Sequence, residues 1–141
     1  MIAALYAGIT VILAPISYGP VQFRVAEVLT LLPYYIPEAV PGLFVGCFIA
    51  NAFSPNGALD MVVGSLATLA AAYLSRRMPR LWLAVLPPVL INMVAIGTML
   101  HLVANLPLWS TILYIGIEQA GACALGVPLM RTLEKLRLVK R

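Results

Sequence analysis

Charge is what this chain has least of. Only 10% of its residues are Asp, Glu, Lys or Arg, where a soluble domain carries roughly 25%, and the mean hydropathy is +1.00. That balance argues against a globular cytosolic domain and for a chain that lives in lipid. No G-x-x-x-x-G-K-S/T run occurs, so no phosphate-cradling loop is present, and any ATP-driven activity has to be powered by a partner. The two cysteines, Cys47 and Cys123, stand in apolar runs without metal-ligand spacing and read as small packing residues. His101 is the single histidine, which argues against metal ligation; no metal and no cofactor is expected. Low-complexity segments are absent. No clear internal repeat is visible, which argues against an inverted-repeat transporter. The N-terminus lacks a basic leader region and a convincing cleavage site, so it reads as a first span and not as a signal peptide.

What is present is grease: 62% of the residues are hydrophobic. A span needs ~20 residues, so the length allows at most about six with very short loops. Proline, glycine and polar clusters divide the chain accordingly, into spans at about 1–14, 20–33, 37–53, 58–76, 81–103 and 108–138 of a single transmembrane domain. The first piece is only ~21 Å long at helical rise; it is expected to continue into Pro15, or to begin upstream of Met1. The second is expected as a helix opened by Tyr18-Gly19-Pro20 and closed by Pro33. The fifth is expected to kink or break near Pro87-Pro88, freeing backbone carbonyls at the level of Asn92.

The net charge of +4 is placed, not spread. Arg76, Arg77 and Arg80 form one basic cluster; Arg131, Lys135, Arg137, Lys140 and Arg141 form the other. Basic flanks of short loops lie on the cytoplasmic side. Both termini are therefore expected inside a prokaryotic plasma membrane crossed several times, and the clusters read as topology anchors rather than a nucleic-acid face. The Ser17–Pro20, Asn51–Asp60 and Val103–Ser110 turns then face out, which puts the polar residues of the second to fourth spans towards an outward-facing pocket.

Those polar residues are the candidate site. Arg24 and Glu27 stand three apart in A-P-I-S-Y-G-P-V-Q-F-R-V-A-E-V-L-T-L-L-P, so on a helix they share a face and form a structural ion pair. Charges at bilayer depth are costly and mark functional sites by default. Glu118 and Gln119 interrupt the last span in Y-I-G-I-E-Q-A-G, for ligand binding or for an interhelical hydrogen bond. Asn92 offers donors and an acceptor to a planar heterocycle edge, or holds two helices together. Asn51 and Asp60 flank the outer turn, as ligand contacts or local caps. Most aromatics read as interfacial belts, but Tyr18, Phe23 and Tyr114 could stack on a base. The first span carries Ala3, Ala4, Ala7 and Gly8 at helical spacing, a face that lets another helix approach closely, either within the protein or from a separate membrane protein.

The runs A-A-L-Y-A-G, A-P-I-S-Y-G-P-V-Q-F-R-V-A-E-V-L-T-L-L-P, G-L-F-V-G-C-F-I-A-N and D-M-V-V-G-S-L-A-T-L-A-A-A resemble the queuosine-precursor transporters, substrate-binding S components of energy-coupling factor (ECF) uptake systems. The resemblance is specific across Ala3–Ala72 and weaker beyond. It implies an all-α bundle of about six transmembrane helices, a ligand buried near the outer leaflet, and partners: a transmembrane coupling protein and two ATPase subunits. It implies a deazaguanine ligand such as the pre-queuosine base, and docking of the coupling protein on Ala3, Ala4, Ala7 and Gly8. Independently, a carboxylate such as Glu118 suits the amine and ring N–H of a guanine-like edge, and Asn92 or Gln119 suits its carbonyl. The alternatives are a self-sufficient secondary transporter or channel for a small polar solute, told apart by uptake without partner subunits, and an intramembrane enzyme, for which no motif joins His101 to the cysteines and carboxylates.

Overall fold

The computed structural model describes residues 1–18 and 23–139; the expected start of the second span at Pro20, Gln22, and the basic residues Lys140 and Arg141 lie outside them. Every regular element among the described residues is helical. Helix α1 (Ile2–Ile12) is followed at Leu13 by the four-residue α2 (Ala14–Ser17), with Pro15 in its first turn, where a missing N–H costs nothing. The second element is a 3₁₀ helix, Val25–Tyr34, not the α-helix the sequence suggests. Thr30 Oγ1 donates to Glu27 O at 2.6 Å, one tight turn back, and Pro33 withholds an N–H from the helical ladder.

Helix α3 (Ala39–Asn51) leads through the outer turn to a π segment, Asp60–Gly64, which widens into α4 (Ser65–Arg77). Wide winding shifts carbonyls off the α-helical ladder, a deformation common at functional sites. Side chains take two of them here: Asn51 Nδ2 donates to Asp60 O at 2.8 Å, and Ser65 Oγ to Met61 O. A 3₁₀ turn, Leu83–Val85, precedes α5 (Leu86–Ala104). Pro87 and Pro88 therefore occupy the first turn of α5 and do not kink it, because a first turn needs no intrahelical donors. Pro88 does leave the Ala84 carbonyl unpaired, but Ser75 Oγ donates to it at 2.8 Å. Helix α6 (Leu108–Lys135) closes the bundle, and Arg137 in the left-handed region (φ 58°) turns the chain so that Val139 is buried.

Two stretches, Leu83–Ala104 and Leu108–Lys135, are long and apolar enough to cross a membrane; the six-span count is not established by length. Helix α1, the 3₁₀ helix and α3 are shorter apolar elements. The outer surface of α5 and α6 is hydrocarbon-like: Trp109, Ile117 and Leu102 are each more than 70% exposed. The main core gathers Tyr6, Leu31, Leu43, Cys47 and Met130, and a smaller one joins Ile96, Met99, Leu100 and Ile115. Between them lie the buried polar side chains of Glu27, Asn51, Asp60, Thr68, Asn92 and Gln119.

A close helix approach places Gly46 of α3 against α1. A Cβ there would sit 2.8 Å from the Ala3 carbonyl oxygen and 2.9 Å from Tyr6 Cβ, whereas one at Gly8 would meet nothing within 4 Å. Gly46→Val is expected to lower stability by ~1–3 kcal/mol or more, since backbone must move, while Gly8→Ala leaves it unchanged or raises it by ~0.5–1 kcal/mol. Thermal unfolding in detergent measures both, and equal midpoints for the two variants would contradict the packing.

Candidate functional site

The site is organised around Arg24, which stands in extended backbone (φ −86°, ψ 90°) at the N-cap of the 3₁₀ helix. Being off the helix, it does not share a face with Glu27, and the expected Arg24–Glu27 ion pair is replaced. Arg24 Nη2 lies 3.6 Å from Asp60 Oδ2, and the Arg24 backbone N–H donates to Glu118 Oε1 at 3.0 Å. One residue thus joins the 3₁₀ helix to the π segment and to α6. Asp60 is braced from its own side by Ser54 Oγ and by Asn56 Nδ2 at 3.3 Å.

Glu27 is held by neutral donors. The Tyr6 hydroxyl donates to Oε1 at 2.6 Å, and Gln119 Nε2 donates to Oε2 at 3.2 Å. The same amide nitrogen lies 3.8 Å from Cys123 Sγ. On α4 the Thr68 hydroxyl donates to Cys47 Sγ at 3.4 Å. Both cysteines thus serve as acceptors within the polar layer.

These groups enclose a cavity of about 20 Å³, lined on the polar side by Arg24, Glu27, Thr68, Asn92, Glu118 and Gln119 and walled by Gly64, Ile96 and Ile115. That is room for about one water molecule. Of the residues expected from sequence, Glu118, Gln119 and Asn92 come together here. Asn51 and Asp60 do not line the cavity but hold the wall behind it. Tyr18 donates to the Ala50 carbonyl, Phe23 packs 3.6 Å from the Cβ position of Gly121, and Tyr114 is 40% exposed on α6; none of the three reaches the lining. Sequence reasoning missed Thr68 and Gly64, and read Arg24 and Glu27 as scaffold. The signal was available: Gly64 with Thr68, Asn92 with Ile96, and Ile115 with Gln119 each stand one helical turn apart on a single face.

The small-residue face of α1 divides. Ala7 is buried, which corrects its assignment to partner docking, while half-buried Ala3 meets Gly46 through its backbone. Ala4 is exposed and Gly8 is open above its Cα.

A bundle of apolar-surfaced helices around a small carboxylate-lined cavity is the architecture of a membrane protein. The chain belongs to the QueT transporter family, whose model matches residues 1–135. A relative, the queuosine precursor transporter QueT of Lactococcus lactis subsp. cremoris (strain MG1363), is 39% identical over 71 residues, 49% of this chain and 41% of that protein. The chain thus spans about two fifths of the length of the curated relative it matches. No solved structure matches it.

Removing one partner of a buried pair costs ~3–5 kcal/mol because the other charge is stranded. Arg24→Ala is expected to destabilise the protein on that scale. Adding Asp60→Asn should restore part of the loss, and adding Glu27→Gln should restore less. Denaturation midpoints of the two double variants decide it; better rescue by Glu27→Gln would return Glu27 to the role of ion-pair partner.

Proposed function

We propose that this chain is the membrane-embedded substrate-binding subunit of an ATP-driven, ECF-type uptake system, and that it takes a queuosine precursor of the deazaguanine class into the cavity from the outer face. The observation that carries this reading is the convergence of Glu118, Asn92 and Gln119 on one internal space in a chain of the QueT transporter family. Glu118 supplies a carboxylate for the paired N–H donors of a guanine-like edge, and charge assistance makes such bonds strong. Asn92 complements the ring carbonyl. At about 20 Å³ the cavity has room for about one water molecule, so a bicyclic base enters only as the surrounding helices part. The sequence carries no phosphate-cradling loop, and transport energy comes from partner subunits: two ATPases and a transmembrane coupling protein.

Purified protein is expected to be stabilised against heat by 7-aminomethyl-7-deazaguanine and not by thiamine or riboflavin, as mass action requires of a ligand that binds only the folded state. Glu118→Gln should weaken that binding by ~1–3 kcal/mol, the cost of an unmatched buried polar group. Absence of stabilisation by any deazaguanine at saturation would sink the reading, and unchanged affinity in Glu118→Gln would remove Glu118 from the site.

Docking of the coupling protein falls to the outward part of α1, Ala4 and Gly8. Ala4→Trp is expected to leave ligand binding intact while abolishing uptake and co-purification with the coupling subunits, since a bulky side chain blocks close helix approach. Ala7→Trp should instead unfold the protein, because Ala7 is only 8% exposed. Normal uptake in the Ala4→Trp variant would place the docking face elsewhere, and uptake by the chain without partner subunits would favour a secondary transporter.

A further inference from the structure

The cavity holds more negative charge than its one cation can balance. Arg24 faces three carboxylates, and its guanidinium is engaged by Asp60. Among the described residues Glu27 and Glu118, both on the lining, have no ion-pair partner within 4 Å and share the one Arg24 charge with Asp60. Glu118 accepts one N–H, from the Arg24 backbone. Glu27 is only 2% exposed, and its donors, the Tyr6 hydroxyl and the Gln119 amide, orient it without cancelling its charge. A carboxylate kept dry, oriented and unbalanced is costly and is relieved either by a proton or by a cation that reaches it; two donors already turned to Glu27 keep both its oxygens as acceptors and favour the cation.

The surrounding donors point the same way, because most of them are already committed. Gln119 Nε2 is turned to Glu27 and Cys123, and Tyr6 to Glu27. Thr68 gives its proton to Cys47 Sγ, which leaves its oxygen lone pairs as acceptors at the cavity wall. Glu27 and Thr68 thus present acceptors to a space whose occupant has to donate.

The geometry points to Glu27 as the residue that reads ligand charge: it takes a primary ammonium carried on an arm of the ligand, while Glu118 takes the neutral N–H edge of the ring. This goes beyond Glu27 as a structural partner of Arg24, and it rests on the cavity being the deazaguanine site. A neutral arm of equal size would reach the same place without balancing Glu27.

The test is titration calorimetry on the intact, detergent-purified chain with two ligands that differ only in charge, 7-aminomethyl-7-deazaguanine and its 7-hydroxymethyl counterpart. The wild type is expected to prefer the cation by about 10- to 100-fold, the scale of one charge-assisted hydrogen bond. Glu27→Gln is expected to bring the two affinities within about threefold, mainly by weakening the cation. Glu118→Gln should weaken both ligands and keep the ratio, which also decides the matter should Glu27→Gln not fold. Equal affinities in the wild type, a ratio that survives Glu27→Gln, or a ratio lost in Glu118→Gln would each overturn the assignment to Glu27. Failure of both ligands to bind the wild type would instead overturn the proposed function, and this inference with it.

Discussion

Arg24 ties together parts of the chain that no apolar contact joins so specifically. Its backbone N–H reaches Glu118 on α6, and its guanidinium reaches Asp60 at the start of the π segment. Both connections cross an apolar bundle where an unmatched charge is expensive, so the polar layer is stable only as a set. Asp60 is fixed by Ser54 and Asn56, its carbonyl by Asn51, and Asn51 in turn lies against Cys47. Two acceptors of that set, Asp60 Oδ1 and Asn51 Oδ1, are buried without a hydrogen bond among the described residues. A layer with spare acceptors and spare negative charge is poorly suited to serve only as scaffold.

The same layer accounts for the irregular helices. The π segment and the 3₁₀ helix both border the cavity, through Gly64 on one and Glu27 on the other, with Arg24 at the latter's N-cap. Regular α-helix at either place would rotate these residues out of register with α6. The cost is carried by side chains that bond the displaced carbonyls, Asn51 and Ser65 in the π segment and Thr30 in the 3₁₀ helix. The apolar shell around them is ordinary by comparison, with Gly46 and Gly97 setting how near α1 and α6 come to their neighbours.

Much of this was legible in the order of residues. Hydropathy gave the helical class, and single polar residues in long apolar runs drew attention to Glu118, Gln119 and Asn92, which the fold brings to one cavity. What failed was the assumption of regular α-helix. Spacing of three predicts an Arg24–Glu27 contact only if both residues are helical, and Arg24 is extended. Likewise Pro87-Pro88 predicts a kink only in a helix interior, and the chain starts α5 there. The faces of α1 were illegible for another reason: alanines three and four apart fit an internal partner as well as an external one, and only burial in the fold decides that Ala7 is spoken for. Thr68 was legible only through its spacing of one helical turn from Gly64, since one hydroxyl in an apolar helix usually bonds its own backbone.

The measurement that bears most directly on the account is a structure of the chain with 7-aminomethyl-7-deazaguanine bound. A planar bicyclic ring is expected between Glu118 and Asn92 in an enlarged form of the present cavity, with the Arg24–Asp60 pair intact. A ring bound instead in the apolar groove of Leu59, Val94 and Leu102 between the π segment and α5, or one making no contact with Glu118, would contradict it.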